Sequence, residues 1–155
     1  MDSRLLTAGQ LGIRLEIVAG QPIWEAAPPY RHQKAVDRIR ASIRPAADAG
    51  CACVHVADVY VSFPDGSRKR PDIALFCREP DEQDEAIRLL PEAVIEVVSK
   101  GYEYKVSPFC LAQGVRDVLV FDPQTLPVLH VRRDRAERLV SPVARPLECG
   151  CTVTI

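Results

Sequence analysis

The segment PEAVIEVVSK, residues 91–100, sets one carboxylate inside an apolar strand. Alanine, valine and isoleucine fill positions 93–98 except for Glu96. A short apolar run of this kind, opened by Pro91 and closed before Gly101, reads as a buried strand. An unpaired carboxylate in such a place is costly. Glu96 therefore faces water at a sheet edge, pairs with an arginine, or faces a cation or a reacting group. The rest of the chain decides among these.

Upstream, RPDIALF (70–76) is a second apolar strand, with Asp72 at its start behind Pro71, which has no amide hydrogen to give a ladder. Before it come the alternating stretch CACVHVADVYVSF (51–63), read as one strand, and the turn PDGSRKR (64–70) with its basic tip. IRLEIVAGQPIWEA (13–26) forms two strands joined at Ala19-Gly20-Gln21, an N-terminal β-hairpin. PPYRHQKAVDRIRASIRP (28–45) is a helix with Val36, Ile39 and Ile43 on its apolar stripe, ended by Pro45. Downstream, DEQDEAIRLL (81–90) is a short helix or an acidic loop, and YEYKVSPFCLAQG (102–114) is helical, limited by Pro108 and capped by Gly114. RDVLVFDP (116–123) is a buried strand, LPVLHVRRDRAERLVS (126–141) a final hairpin, and CGCTVTI (149–155) an edge strand. The order predicts one α/β domain over residues 1–155, a mixed β-sheet flanked by helices.

Composition narrows the function classes. The 155 residues carry a formal net charge of −1, so no global field draws the chain to a polyanion. The first twenty residues lack the apolar core of a signal peptide and no stretch is long enough to span a bilayer, so a cytoplasmic protein without membrane contact is expected. Six cysteines in such a chain argue against a disulfide framework. The pairs Cys51/Cys53 and Cys149/Cys151 invite a zinc reading, built on these four thiolates as an interaction module. Their C-x-C spacing is tighter than the usual one, and cysteine also fills cores as a small hydrophobe. Core filling, with no stoichiometric zinc, is the expectation.

Chemistry concentrates around Glu96. If the strands holding Asp72 and Glu96 are neighbours, their carboxylates converge on one divalent ion, in the way magnesium is commonly held. Lys105 then stands at the entry of the following helix, where an ammonium can orient an attacking water and offset developing charge. The basic runs Arg68, Lys69, Arg70 and Arg132, Arg133, Arg135 are candidate contacts to a nucleic-acid backbone, the first run leading directly into Asp72. Their alternative is a solvated hairpin tip. His32 opens the 31–44 helix, whose free amide hydrogens suit a phosphate, or it bonds its own loop. His55 and His130 alternate with valines and read as strand residues without a role.

Asp72, Glu96 and Lys105 in this order resemble the PD-(D/E)XK nuclease superfamily, and more closely its Uma-two family. LEIVAGQPIWEAAPPYRHQ resembles the family's opening hairpin, loop and helix-start histidine, RPDIALF and AVIEVVS its two acidic strands, and GVRDVLVFDP its core strand and Asp-Pro turn. RPLECGCTVTI is similar to its closing strand. The resemblance implies a restriction-endonuclease-like fold and a Mg2+-dependent (or Mn2+-dependent) endonuclease acting on DNA, with Asp72 and Glu96 as metal ligands and Glu16 as an accessory acid. Read from the residues alone, Glu16 is equally a solvent-facing strand residue. The superfamily's lysine two residues past the glutamate is Val98 here, which moves that role to Lys105, with Lys100 as its competitor. A catalytically inactive relative that binds nucleic acid or a protein partner is the alternative, and a homodimer is left open.

Overall fold

The computed structural model describes residues 2–25, 27–98 and 106–155. Along the chain run α1 (Ser3–Gln10), β1 (Arg14–Val18), β2 (Gln21–Glu25), α2 (Tyr30–Ser42), β3 (Arg44–Pro45), β4 (Val54–Ala57), β5 (Val61–Ser62) and β6 (Arg68–Lys69). There follow β7 (Ile73–Phe76), β8 (Ala93–Val97), α3 (Val106–Ala112), β9 (Asp117–Phe121), β10 (Pro127–Val131), β11 (Ala136–Val140), β12 (Ala144–Pro146) and β13 (Cys151–Thr154). This is a mixed α/β fold with the expected N-terminal hairpin, β1 against β2.

A six-stranded sheet in the order β11-β10-β9-β8-β7-β4 forms the centre. Its one parallel pair is β8 with β9, and every other pairing is antiparallel. Because side chains alternate along a strand, the two faces build two cores. Ile73, Leu75, Ile95, Leu119 and Phe121 pack under Val36 and Ile39 of α2 on one face. Ala74, Phe76, Val94, Val98, Val118 and Val120 pack with Cys110 of α3 on the other. Glu96 shares the parity of Val94 and Val98 and so belongs to the α3 face. A second sheet, β2-β1-β6-β5, carries the N-terminal hairpin, and α1 closes it with Leu5 and Ala8 packed on Leu15 and Ile17 of β1.

Three expectations are corrected and one open choice is decided. CACVHVADVYVSF is two strands in different sheets, because Asp58 takes a φ of +58° and turns the chain between β4 and β5. Of the two readings of residues 81–90 the loop is the one observed, with Ile87 in a single parallel bridge to Val61. The closing strand β13 is central in the sheet β12-β13-β3, not an edge, since residues 44–45 pair with it from the far side. The cysteines are not unpaired core fillers: Cys51 is bonded to Cys77 and Cys53 to Cys151, leaving Cys110 and Cys149 as free thiols. Strand alternation could not have revealed this, because Cys51 and Cys53 precede β4 and Cys53 itself has a φ of +49°.

Candidate active site

The β7–β8 register sets Ile73 opposite Ile95 and Ala74 opposite Val94. Carried one residue further, it sets Asp72 directly across from Glu96, and opposed residues project from the same face of an antiparallel pair. The two carboxylates expected to converge do so. Asp72 is held firmly: its Oδ2 accepts from the Val97 amide at 2.8 Å and lies 3.1 Å from His32 Nε2. His32 thus touches the site through an acidic partner. Burial pulls its pKa down, but the Asp72 contact outweighs that and the net shift is upward. Glu96 has the opposite surroundings. Burial first, and then the negative charge of Asp72, push its carboxyl well above the ordinary range, against the pull of Lys69.

Glu16 reaches the same place from the second sheet. It is buried rather than solvent-facing, and its Oε1 accepts from the Arg70 amide at 2.6 Å. Lys69 Nζ lies 3.9 Å from Glu16 Oε2 and 5.2 Å from the centre of the Phe109 ring on α3. Burial raises the pKa of Glu16 although the Lys69 ammonium opposes it. Glu25, across the hairpin, is pushed up to about 7 by burial and by the charge of Glu16. Its Oε2 is buried without a hydrogen-bond partner among the described residues.

The basic turn is rearranged relative to the sequence reading. Arg68 and Lys69 form β6 rather than a solvated tip, and alternation turns Lys69 inward to the carboxylates. Arg70 bonds Asp58 Oδ2 at 2.9 Å and stacks 5.1 Å from the Tyr60 ring centre. Arg132 is likewise occupied, donating to Asp117 Oδ1 at 2.6 Å and to the Pro146 carbonyl, whereas Arg133 and Arg135 are exposed. His130 does have a role, bridging buried Asp117 and Arg145. Lys105 and Lys100 lie outside the described residues. Sequence reasoning missed Lys69 and Glu25 as members of the cluster. The pattern Arg-Lys-Arg held one clue, since a strand there must turn its middle residue away from its neighbours.

Among the described residues, Glu96, Glu16 and Glu25 therefore gather around the Lys69 ammonium, with Arg14 Nε 3.5 Å from Glu25 Oε2 and His32 against Asp72. Carboxylate oxygens gathered in a partly desolvated site suit a hard divalent cation of the magnesium class. Burial and mutual repulsion raise the proton affinity of Glu96 and Glu25, and a bound cation would relieve both. The residues present fit such an ion.

A family model described as "Uma2: Putative restriction endonuclease" matches residues 4–148. Among solved structures, the chain is similar to a "putative nuclease belonging to DUF820" from Anabaena variabilis ATCC 29413. The TM-score is 0.65 and the identity 23%, over 86% of this chain and 80% of that one. At that identity the likeness shows a shared fold. No curated protein matches the chain.

Proposed function

Because the chain belongs to the Uma2 family, we propose that it is a Mg2+- or Mn2+-dependent endonuclease that hydrolyses DNA phosphodiester bonds. The observation that carries this reading is the register that opposes Asp72 to Glu96. Those two residues hold the ion, with Glu16 as the accessory acid. When bound, the cation supplies Lewis-acid polarisation of a phosphate and a lowered pKa for water.

The chain's own residues do the rest. His32 and the Val97 amide fix the orientation of Asp72, as partners behind a metal ligand do. Lys69 offsets part of the charge on Glu16 and Glu96, so the carboxylates can gather before a cation arrives. Lys105 is assigned to the attacking water. That assignment rests on the sequence order, in which Lys105 follows Glu96 and immediately precedes Val106, the first residue of α3. Arg68 remains the proposed backbone contact of the 68–70 run, since Lys69 and Arg70 have partners within the protein.

The test is cleavage of supercoiled and linear duplex DNA with magnesium or manganese. Wild type is expected to cut, Glu96→Gln to be inactive, and Lys105→Ala to lose cleavage by orders of magnitude while keeping metal and DNA binding. Lys100→Ala should be nearly silent. Metal binding without cleavage of any duplex would overturn the enzymatic reading in favour of a non-catalytic, nucleic-acid-binding relative.

A further inference from the structure

Five of the six cysteines meet at the end of β7 away from the carboxylates. Asp72 precedes that strand and Cys77 follows it, a separation of roughly 16 Å along an extended chain. Cys51 and Cys53 arrive just before β4, and Cys149 and Cys151 at the start of β13. The two bridged pairs are not independent. Cys51 Sγ lies 3.6 Å from Cys151 Sγ. The sulfurs of Cys51, Cys53 and Cys151 all lie within 4.8 Å of one another, and so do those of Cys51, Cys77 and Cys149.

Two disulfides explain four sulfurs taken in pairs. They explain neither the contact between the pairs nor the approach of Cys149. A tetrathiolate site that includes Cys51, the sulfur common to both triads, accounts for the contact between the pairs. With zinc–sulfur bonds of about 2.3 Å, the sulfurs of a tetrahedral site stand about 3.8 Å apart, close to the observed Cys51–Cys151 distance. Cys51 also accepts from the Cys53 amide at 3.4 Å, a contact that favours a thiolate. Cys51, Cys53 and Cys151 are all buried, which excludes competing water.

We propose that in its dithiol state this cluster is a structural zinc site, with Cys51, Cys53 and Cys151 as ligands and either Cys77 or Cys149 as the fourth. Opening each disulfide consumes two equivalents of a thiol reductant, which leave as one disulfide of their own. Zinc then takes four thiolates, and four protons are released. The ion joins the sheet holding β13 to the ends of β4 and β7, the connection made by the disulfides in the oxidised chain. The proposal is independent of the nuclease reading, since the sulfurs and the carboxylates lie at opposite ends of β7.

The test uses full-length protein reduced with a phosphine under argon, in a Glu96→Gln background so that the carboxylate site does not interfere. Cobalt(II) is titrated in, followed by zinc. The expected result is one cobalt per chain with the visible absorption of a tetrahedral thiolate complex, displaced by one equivalent of zinc, and a higher melting temperature with the metal. Cys51→Ser should abolish the signal and Cys110→Ala, whose sulfur is outside the cluster, should keep it. Comparison of Cys77→Ser with Cys149→Ser identifies the fourth ligand. Absence of stoichiometric uptake by reduced wild-type cysteines, in protein shown folded by circular dichroism, would overturn the site. So would a cobalt spectrum without thiolate character.

Discussion

Asp117 and Glu96 sit on adjacent strands and solve the problem of a carboxylate withdrawn from water in opposite ways. Asp117 is surrounded by His130 Nε2 and Arg132 Nε, each at 2.6 Å, and by the Glu148 amide at 2.8 Å. Burial alone would raise its pKa, but these hydrogen bonds prevail and lower it. A lowered folded-state pKa stabilises the protein above the ordinary carboxylate range, and that contribution is lost as pH falls through the folded value. Asp117→Ala, which strands Arg132, should cost about 3–5 kcal/mol in urea unfolding at neutral pH. Among the described residues Glu96 has no comparable set of donors, and its pKa rises. Lys69 is the cation nearest to that deficit among the described residues. Lys69→Met should destabilise the metal-free protein at neutral pH, and magnesium should recover part of the loss; a melting curve equal to wild type without metal would remove Lys69 from the cluster's electrostatics.

At the scale of elements, the β7–β8 pair and the β1–β2 hairpin bring acids together that the fold must hold apart from water. Glu25, Glu16 and Glu96 all have folded-state pKa values raised above the ordinary range. For such groups the stabilising contribution is present at low pH and lost as pH rises through the folded value, which for Glu25 is about 7. The metal-free protein should therefore melt at progressively lower temperature between about pH 5 and 8, by roughly 2–4 °C for each kcal/mol lost. Saturating magnesium should flatten that dependence, and Glu25→Gln should reduce it. A metal-free melting temperature that rises over this range would contradict the assignment. Much at this scale was legible in sequence. The hairpin follows from two alternating runs around Ala19-Gly20, both at positive φ, and α2 follows from its apolar stripe. Asp72 and Glu96 were legible because Glu96 interrupts an apolar strand and Asp72 opens the one before it. The position of β13 was not, since its second partner is residues 44–45, more than a hundred positions earlier, and short-range pattern carries no trace of such pairing. Lys69 was hidden by its basic neighbours, and of the sulfur cluster the two C-x-C pairs were legible while Cys77, supplied by a third segment, was not.

Across the whole molecule, a net charge of −1 gives DNA no general attraction, so any affinity depends on local cations and on the bound metal. Arg70 and Arg132 are already paired internally, which leaves Arg68, Arg133 and Arg135 as the members of the two basic runs to examine. Arg68→Ala should weaken DNA binding and reduce its salt slope by about one if that side chain contacts a phosphate; an unchanged slope would assign it to the fold alone. Among the described residues no helix is long and apolar enough to cross a membrane. The central claim is that the Asp72–Glu96 pair binds a divalent cation, and calorimetric titration of Mn2+ into wild type and Glu96→Gln measures it most directly. Saturable binding by wild type, lost in a Glu96→Gln protein that keeps its circular dichroism spectrum, is the predicted result. Equal binding by both proteins would place the ion elsewhere and contradict the account.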